Sequence, residues 1–140
     1  MLTIEAVLGT DQCFDQLAAE SVGRVVFSQG ALPAITPSLY ALCESGICFV
    51  TGLDKEQHAG IGGSVVAFEV DCLDPVTSAG WAVVVTGVAE PCTRPGRQRL
   101  AAAAGLQPSD DAWHTVFWLI PEIVTGRRFG PTCAPALHPN

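Results

Sequence analysis

Positive charge is scarce in this 140-residue sequence: Lys55 is the only lysine, six arginines (24, 94, 97, 99, 127 and 128) complete the cations, and fourteen acidic residues leave a formal net charge of −7. Such a chain would repel the phosphates of a nucleic acid or an acidic membrane surface, so neither is expected as a partner. Long apolar runs are missing too. No stretch approaches the roughly eighteen residues of a membrane span, and Met-Leu-Thr-Ile-Glu-Ala-Val at the start has neither the basic beginning nor the apolar core of a secretory leader. A cytoplasmic protein is expected. The six cysteines (13, 43, 48, 72, 92, 133) contain no Cys-x-x-Cys and no zinc-like Cys/His spacing, so they read as small buried thiols and no metal is expected.

Charged residues of both signs amount to only 15%, against 49% hydrophobic. A chain of this length forms one domain, residues 1–140, with a core over about 12–129 and a loose tail over 130–140. It can bury roughly two-thirds of its unfolded surface without disulfides or metals. So little charge implies that part of the surface is a subunit interface. The fourteen glycines and ten prolines are spread among short apolar runs, as turns between strands would be.

The chain is organised around Gly80–Glu90, Gly-Trp-Ala-Val-Val-Val-Thr-Gly-Val-Ala-Glu. Its β-branched run suits a pleated surface, and Gly87 marks a bend or a close backbone approach. A strand apolar on both faces must be covered on both, which predicts a closed or half-closed β-barrel of six or seven strands with two or three short helices. Helical spacing places helices over 11–21, 54–60 (capped by Asp54) and 95–105. The other strands are expected over 23–29, 34–43, 47–51, 64–70 and 114–120. Pro121-Glu122 breaks the last, and an extended course resumes over 123–129.

Pro37 cannot donate to a ladder, so its part of the second strand should lie at an edge or a bulge. A two-residue Ser45-Gly46 turn would pair Glu44 with Ile47, Cys43 with Cys48 and Tyr40 with Thr51. Thr36, Ser38, Tyr40 and Thr51 then share one face, and Cys43 and Cys48 share the other as a directly opposed pair within disulfide reach. The four hydroxyls read either as a solvated face or as a binding face. Lys55, near a helix N-terminus, reads either as a solvated lysine or as a phosphate ligand. Arg94, Arg97 and Arg99 read as solvated, and no metal ligand, general acid or general base stands out.

Five blocks in order resemble the short flavin-binding branch of the pyridoxamine 5′-phosphate oxidase-like family: Gly23-Arg24-Val25-Val26-Phe27, Pro33-x-x-x-Pro37-x-x-Tyr40, Phe68-Glu69-Val70-Asp71, the Gly80–Glu90 strand, and Ile123-Val124-Thr125-Gly126-Arg127-Arg128. The resemblance implies a split β-barrel homodimer holding FMN in clefts at the subunit interface, and an oxidoreductase acting on a small molecule. It further implies that Thr51 and Lys55 hold the phosphate, that Thr36, Pro37 and Ser38 meet the isoalloxazine edge, and that Trp81 packs near the ring or the interface. One departure concerns the phosphate. The family's arginine at the end of the third strand is Val50 here, the turn Gly52-Leu53-Asp54 carries no hydroxyl, and Lys55 comes one residue early. Arg127 or Arg128 is the candidate replacement cation. The same fold could hold a deazaflavin or heme instead, or persist as a ligand-free structural or regulatory dimer. His58 and Tyr40 are the only acid–base candidates, and both read as structural.

Overall fold

The computed structural model describes residues 2–44, 46–108 and 112–130. Seven strands, β1 (Ile4–Val7), β2 (Val22–Gln29), β3 (Leu32–Cys43), β4 (Gly46–Val50), β5 (Ser64–Leu73), β6 (Gly80–Pro91) and β7 (Val116–Phe129), form one antiparallel sheet. Three helices accompany them: α1 (Thr10–Ala18), α2 (Lys55–Ile61) and α3 (Pro95–Ala103). The lateral order β7-β4-β3-β2-β5-β6 returns to β7 through the β6–β7 pairing, which closes a six-stranded barrel, and β1 is added beside the C-terminal part of β7. Closure removes the sheet edges that an open arrangement would expose.

The central strand behaves as expected. Val83, Val85 and Ala89 of β6 are fully buried, while the alternate residues face outward and are half-buried. At Gly87 the ladder shifts: Thr86 pairs with Ile123 but Gly87 with Pro121, leaving Glu122 as an extra residue. A Cβ on Gly87 would overlap the carbonyl oxygen of Ile120, so the bulge requires glycine. The expected break at Pro121-Glu122 is therefore a bend inside one long strand. β1 was not foreseen, because its four residues are largely exposed and carry no clear alternation.

Inside the barrel, Phe49 stands between Phe68 and Phe117, with ring centroids 5.3 and 5.5 Å away, and Tyr40 meets Phe68 edge-on at 5.2 Å. Cys13 and Leu17 of α1 are fully buried in this cluster, and the Tyr40 hydroxyl donates to the Leu17 carbonyl, satisfying an acceptor at the helix end. A smaller cluster lies outside the barrel, where Ala101 of α3 packs with Cys48, Cys92, Val116 and Trp118.

The β2–β3 hairpin closes through Gly30 and Ala31, whose φ values of 56° and 66° make the tight turn that matches strand twist. The β3–β4 register differs from expectation. Cys43 pairs with Gly46, Ala41 with Cys48 and Tyr40 with Phe49, leaving Glu44 and Ser45 between the strands; Ser45 lies outside the described residues. The shift is two residues, so every side chain keeps its predicted face while its cross-strand partner changes. Cys43 and Cys48 are accordingly diagonal neighbours rather than opposed, yet their Sγ atoms lie 3.2 Å apart. Gly46 is sterically required: a Cβ there would fall inside the Trp118 indole and 2.8 Å from the Leu119 carbonyl oxygen. The four-hydroxyl face points into the barrel, with Ser38, Tyr40 and Thr51 buried, so it is not the solvated face of an edge hairpin.

Candidate functional site

β3 and β4 pair only over Leu39–Cys43 and Gly46–Val50, and beyond the Leu39–Val50 pair they part. β3 continues beside β2 alone, so the flank of Pro37 away from β2 is an open edge, as a residue without an N–H predicts. A groove of about 380 Å³ occupies the opening, lined by Val22, Pro37, Ser38, Leu39, Val50, Thr51 and Gly52. Its walls are largely apolar, and Ser38 and Thr51 contribute to its lining.

Ser38 is 4% exposed, and its Oγ has no hydrogen-bond partner. A buried hydroxyl left unpaired costs about 1–3 kcal/mol, which a polar group bonded to it would recover. Thr51, 6% exposed, has its Oγ1 3.5 Å from His58 Nε2. His58 lies 5.5 Å from the Phe117 ring and 6.2 Å from that of His114. Burial first, then the proximity of His114, lowers its pKa, so His58 behind Thr51 is neutral at physiological pH. Thr36, next to the groove, has its hydroxyl 3.5 Å from the Pro37 carbonyl.

Lys55 opens α2 three residues after Gly52 and is exposed. Asp54 precedes it as an N-cap: its Oδ1 accepts from the Gln57 N–H at 2.9 Å, while Gln57 Oε1 accepts from the Asp54 N–H at 3.2 Å. A carboxylate thus already satisfies part of the helix start that a phosphate would use. This end offers one cation, Lys55, beside the capping Asp54 and with Glu56 in the same turn, which makes it a weak anion site.

The structure gathers Pro37, Ser38, Val50 and Thr51 on the groove, with Thr36 and Lys55 adjoining in sequence. Trp81 and Arg127 do not line it. Trp81 lies opposite Cys72 and Arg128 and packs on the main core; Arg127 lies opposite Val7 and Ala82, eleven residues along β7 from Val116, the partner of Val50. Arg128 pairs with Glu5 at 3.5 Å. Arg97, expected in solvent, instead bonds Glu90 at 2.7 Å and lies 5.0 Å over the Trp118 ring. Sequence reasoning missed the walls Val22 and Leu39. Their exposure at 53% and 54% was the available signal, but it becomes visible only once the strand register is known.

On the outer face beside Pro37, its cross-strand partner Arg24 lies 3.3 Å from Glu69 and 3.6 Å from Asp71. Burial and the Asp71 carboxylate, opposed by Arg24, push Glu69 up to about 7.

Residues 9–128 match the family described as pyridoxamine 5′-phosphate oxidase. An uncharacterized protein of Mycobacterium tuberculosis is 38% identical over 131 residues, covering 86% of this chain and 83% of that one. The FAD binding protein from Mycobacterium smegmatis superposes with a TM-score of 0.75 at 27% identity, over 89% of this chain and 98% of that one. A FAD-binding protein from Mesorhizobium loti shares the fold with a TM-score of 0.73 at 22% identity, over 94% and 100% of the two chains. With the barrel, its split between β3 and β4, and a match spanning most of the sequence, this chain belongs to the pyridoxamine 5′-phosphate oxidase family.

Proposed function

We propose that the protein binds a flavin in the groove where β3 and β4 part, and that it works as an oxidoreductase on a small molecule. The observation that carries this reading is the unpaired, buried Ser38 hydroxyl on a groove otherwise walled by Val22, Pro37, Leu39 and Val50. An isoalloxazine ring has the complementary character, an apolar plane with hydrogen-bonding edges. When bound, the flavin supplies hydride or electron transfer; the chain supplies orientation and shelter from water. Ser38 and the open strand edge at Pro37 meet the ring edge, Thr51 lies where the strand turns toward α2, and Lys55 takes the phosphate. FMN suits this end, since its single phosphate matches the single nearby cation, whereas Arg24 is committed to two carboxylates. The arginine lost at Val50 and the added Asp54 make this a weak phosphate grip.

The groove is one wall of a site that a second copy completes. In register, Ile35, Val26, Ala67, Thr86 and Ile123 form a continuous row around the outside of the barrel, flanked by Val65 and Val88. Ile35, Val65 and Ile123 are each 60% exposed or more in the single chain. Burying this face in a homodimer would cover the outer side of the central strand and bring a second surface against the groove, with about 2,000 Å² or more removed from water. Light scattering after size-exclusion chromatography at micromolar concentration should give twice the chain mass; a monomer overturns the dimer.

The functional reading is tested by purifying the protein and recording its visible spectrum, then titrating added FMN. Flavin absorption, or quenching of FMN fluorescence on binding, is expected. Colourless protein that ignores FMN overturns the reading, and a heme band would reassign the groove. Lys55→Ala should weaken FMN binding roughly ten- to a hundredfold, the equivalent of one charged hydrogen bond, while Arg97→Ala, whose guanidinium is used on Glu90 and Trp118, should leave it within about twofold. Equal losses would place the phosphate elsewhere.

A further inference from the structure

A cavity of about 600 Å³ opens at the turn end of the β3–β4 hairpin, away from the groove. Three elements build it in the same way, each giving one apolar and one polar residue at a spacing that keeps both on one face. These are Leu42 and Glu44 from the end of β3 and its turn, Val124 and Glu122 from β7, and Phe14 and Thr10 from α1. Leu42, Val124 and Phe14 are partly buried against the barrel core and make the floor, whereas Glu44, Glu122 and Thr10 are exposed and make the rim. We propose that this cavity binds small organic cations, a protonated amine carried on an aromatic or branched aliphatic body. It shares no lining residue with the groove, so the site stands whether or not a flavin binds.

The rim carries charge of one sign. Glu44 and Glu122 supply two carboxylates, no lysine or arginine lines the cavity, and neither acid pairs with a cation among the described residues. Glu122 owes its place to the bulge in β7, where it is the extra residue between Pro121 and Ile123, and bulges re-aim side chains at barrel rims. Thr10 opens α1, whose start would carry a partial positive charge, but Asp11 lies in that first turn and Gln12 Oε1 already accepts the Gly9 N–H at 2.9 Å. Two full negative charges outweigh what remains of that dipole. Like charges at the mouth of one cavity repel until a cation joins them, and an ammonium group does so while its three N–H groups donate to the carboxylates.

The floor decides what the cation is attached to. A calcium ion takes roughly six to eight oxygen ligands, which two carboxylates and one hydroxyl above an apolar floor do not supply. Among the described residues no group of three His, Cys, Asp or Glu side chains is placed to hold a metal ion. An apolar body instead removes the surfaces of Phe14, Leu42 and Val124 from water, and the volume suits a small molecule. An anion of the same shape meets repulsion at the rim.

Titrating the isotope-labelled wild-type chain with phenethylamine, phenethyl alcohol, phenylacetate and ethylamine, followed by amide chemical shifts at neutral pH, tests this. Phenethylamine should bind with a dissociation constant of about 1 mM or below, moving the amides of Thr10, Leu42 and Val124 and leaving those of Ser38 and Thr51 in place. Phenethyl alcohol, which keeps the shape without the charge, should bind about tenfold more weakly, and phenylacetate and ethylamine more weakly still. Glu44→Gln and Glu122→Gln should each weaken the amine about two- to fivefold, as exposed ion pairs do, and the double variant about tenfold, with the alcohol unaffected. Both positions are exposed, so thermal unfolding of the variants should match the wild type. No shift with the amine up to about 10 mM, equal binding of amine and phenylacetate, shifts centred on the groove, or unchanged amine affinity in the double variant would each overturn the site. Ethylamine binding as tightly as phenethylamine would mean that the floor takes no part and would overturn the ligand class.

Discussion

At its turn end the β3–β4 hairpin closes against β7 so tightly that Gly46 has no room for a methyl group beside the Trp118 indole; at its other end, beyond Leu39 and Val50, the same strands separate and leave the Ser38 hydroxyl buried beside open space. Each end carries a buried polar atom without a partner, Trp118 Nε1 at the closed end and Ser38 Oγ at the open one. Ser38 lines the groove, and among the described residues Trp118 lines neither the groove nor the cavity at the turn end. An unpaired donor sealed inside packing is a cost the fold absorbs, whereas one on a groove is a cost a ligand can remove. The same chemical deficit is sealed by packing in one region and lies beside a groove in the other.

The largest expected effect breaks the closed end. Gly46→Ala must push apart the Trp118 ring or the Leu119 backbone, and should lower unfolding stability by roughly 3 kcal/mol, the upper range for overpacking. Urea denaturation measures this; a loss below about 1 kcal/mol would show that the closed end yields as easily as the open one. Ser38→Ala sharpens the contrast. Removing an unsatisfied hydroxyl should stabilise the ligand-free protein by about 1 kcal/mol while weakening flavin binding about tenfold, opposite signs for one substitution. If both fall together, Ser38 serves packing.

The smallest effect concerns pH. Because the folded chain holds the Glu69 proton up to about 7, while the unfolded chain releases it in the ordinary glutamate range, stability should fall as pH rises between those limits and be fully present below them. Glu69→Gln should flatten that slope in thermal unfolding followed across the interval. At the closed end the Cys48 thiol is pushed upward, so it stays protonated through the same interval and adds no slope. An unchanged slope in the variant would move the titration to another group.

Arg97 shows how the sequence can mislead about a single side chain. At the start of a helix an arginine opposes the helix dipole, and solvent is the natural expectation. The folded chain puts Glu90 and the face of Trp118 within its reach, from strands distant in sequence, and these outweigh the local mismatch. Arg127, whose place in a familiar block suggested the phosphate, lies opposite Val7 and Ala82 and does not line the groove within one chain.

The sequence alone determined the β class, the central Gly80–Glu90 strand, the capped start of α2, the edge position of Pro37 and the face on which each β3 residue lies. These follow from period-two alternation and from residues whose backbone limits are intrinsic, both readable within a few neighbours. Tertiary structure decided which residues stand beside one another across strands. A slip of two residues leaves alternation unchanged, so nothing local distinguished Cys43 opposite Cys48 from Cys43 opposite Gly46; contact of Gly46 with Trp118 and Leu119, some seventy residues away, accompanies the second. The groove depends on that choice, because it is made of residues from separate strands that meet only when the barrel closes.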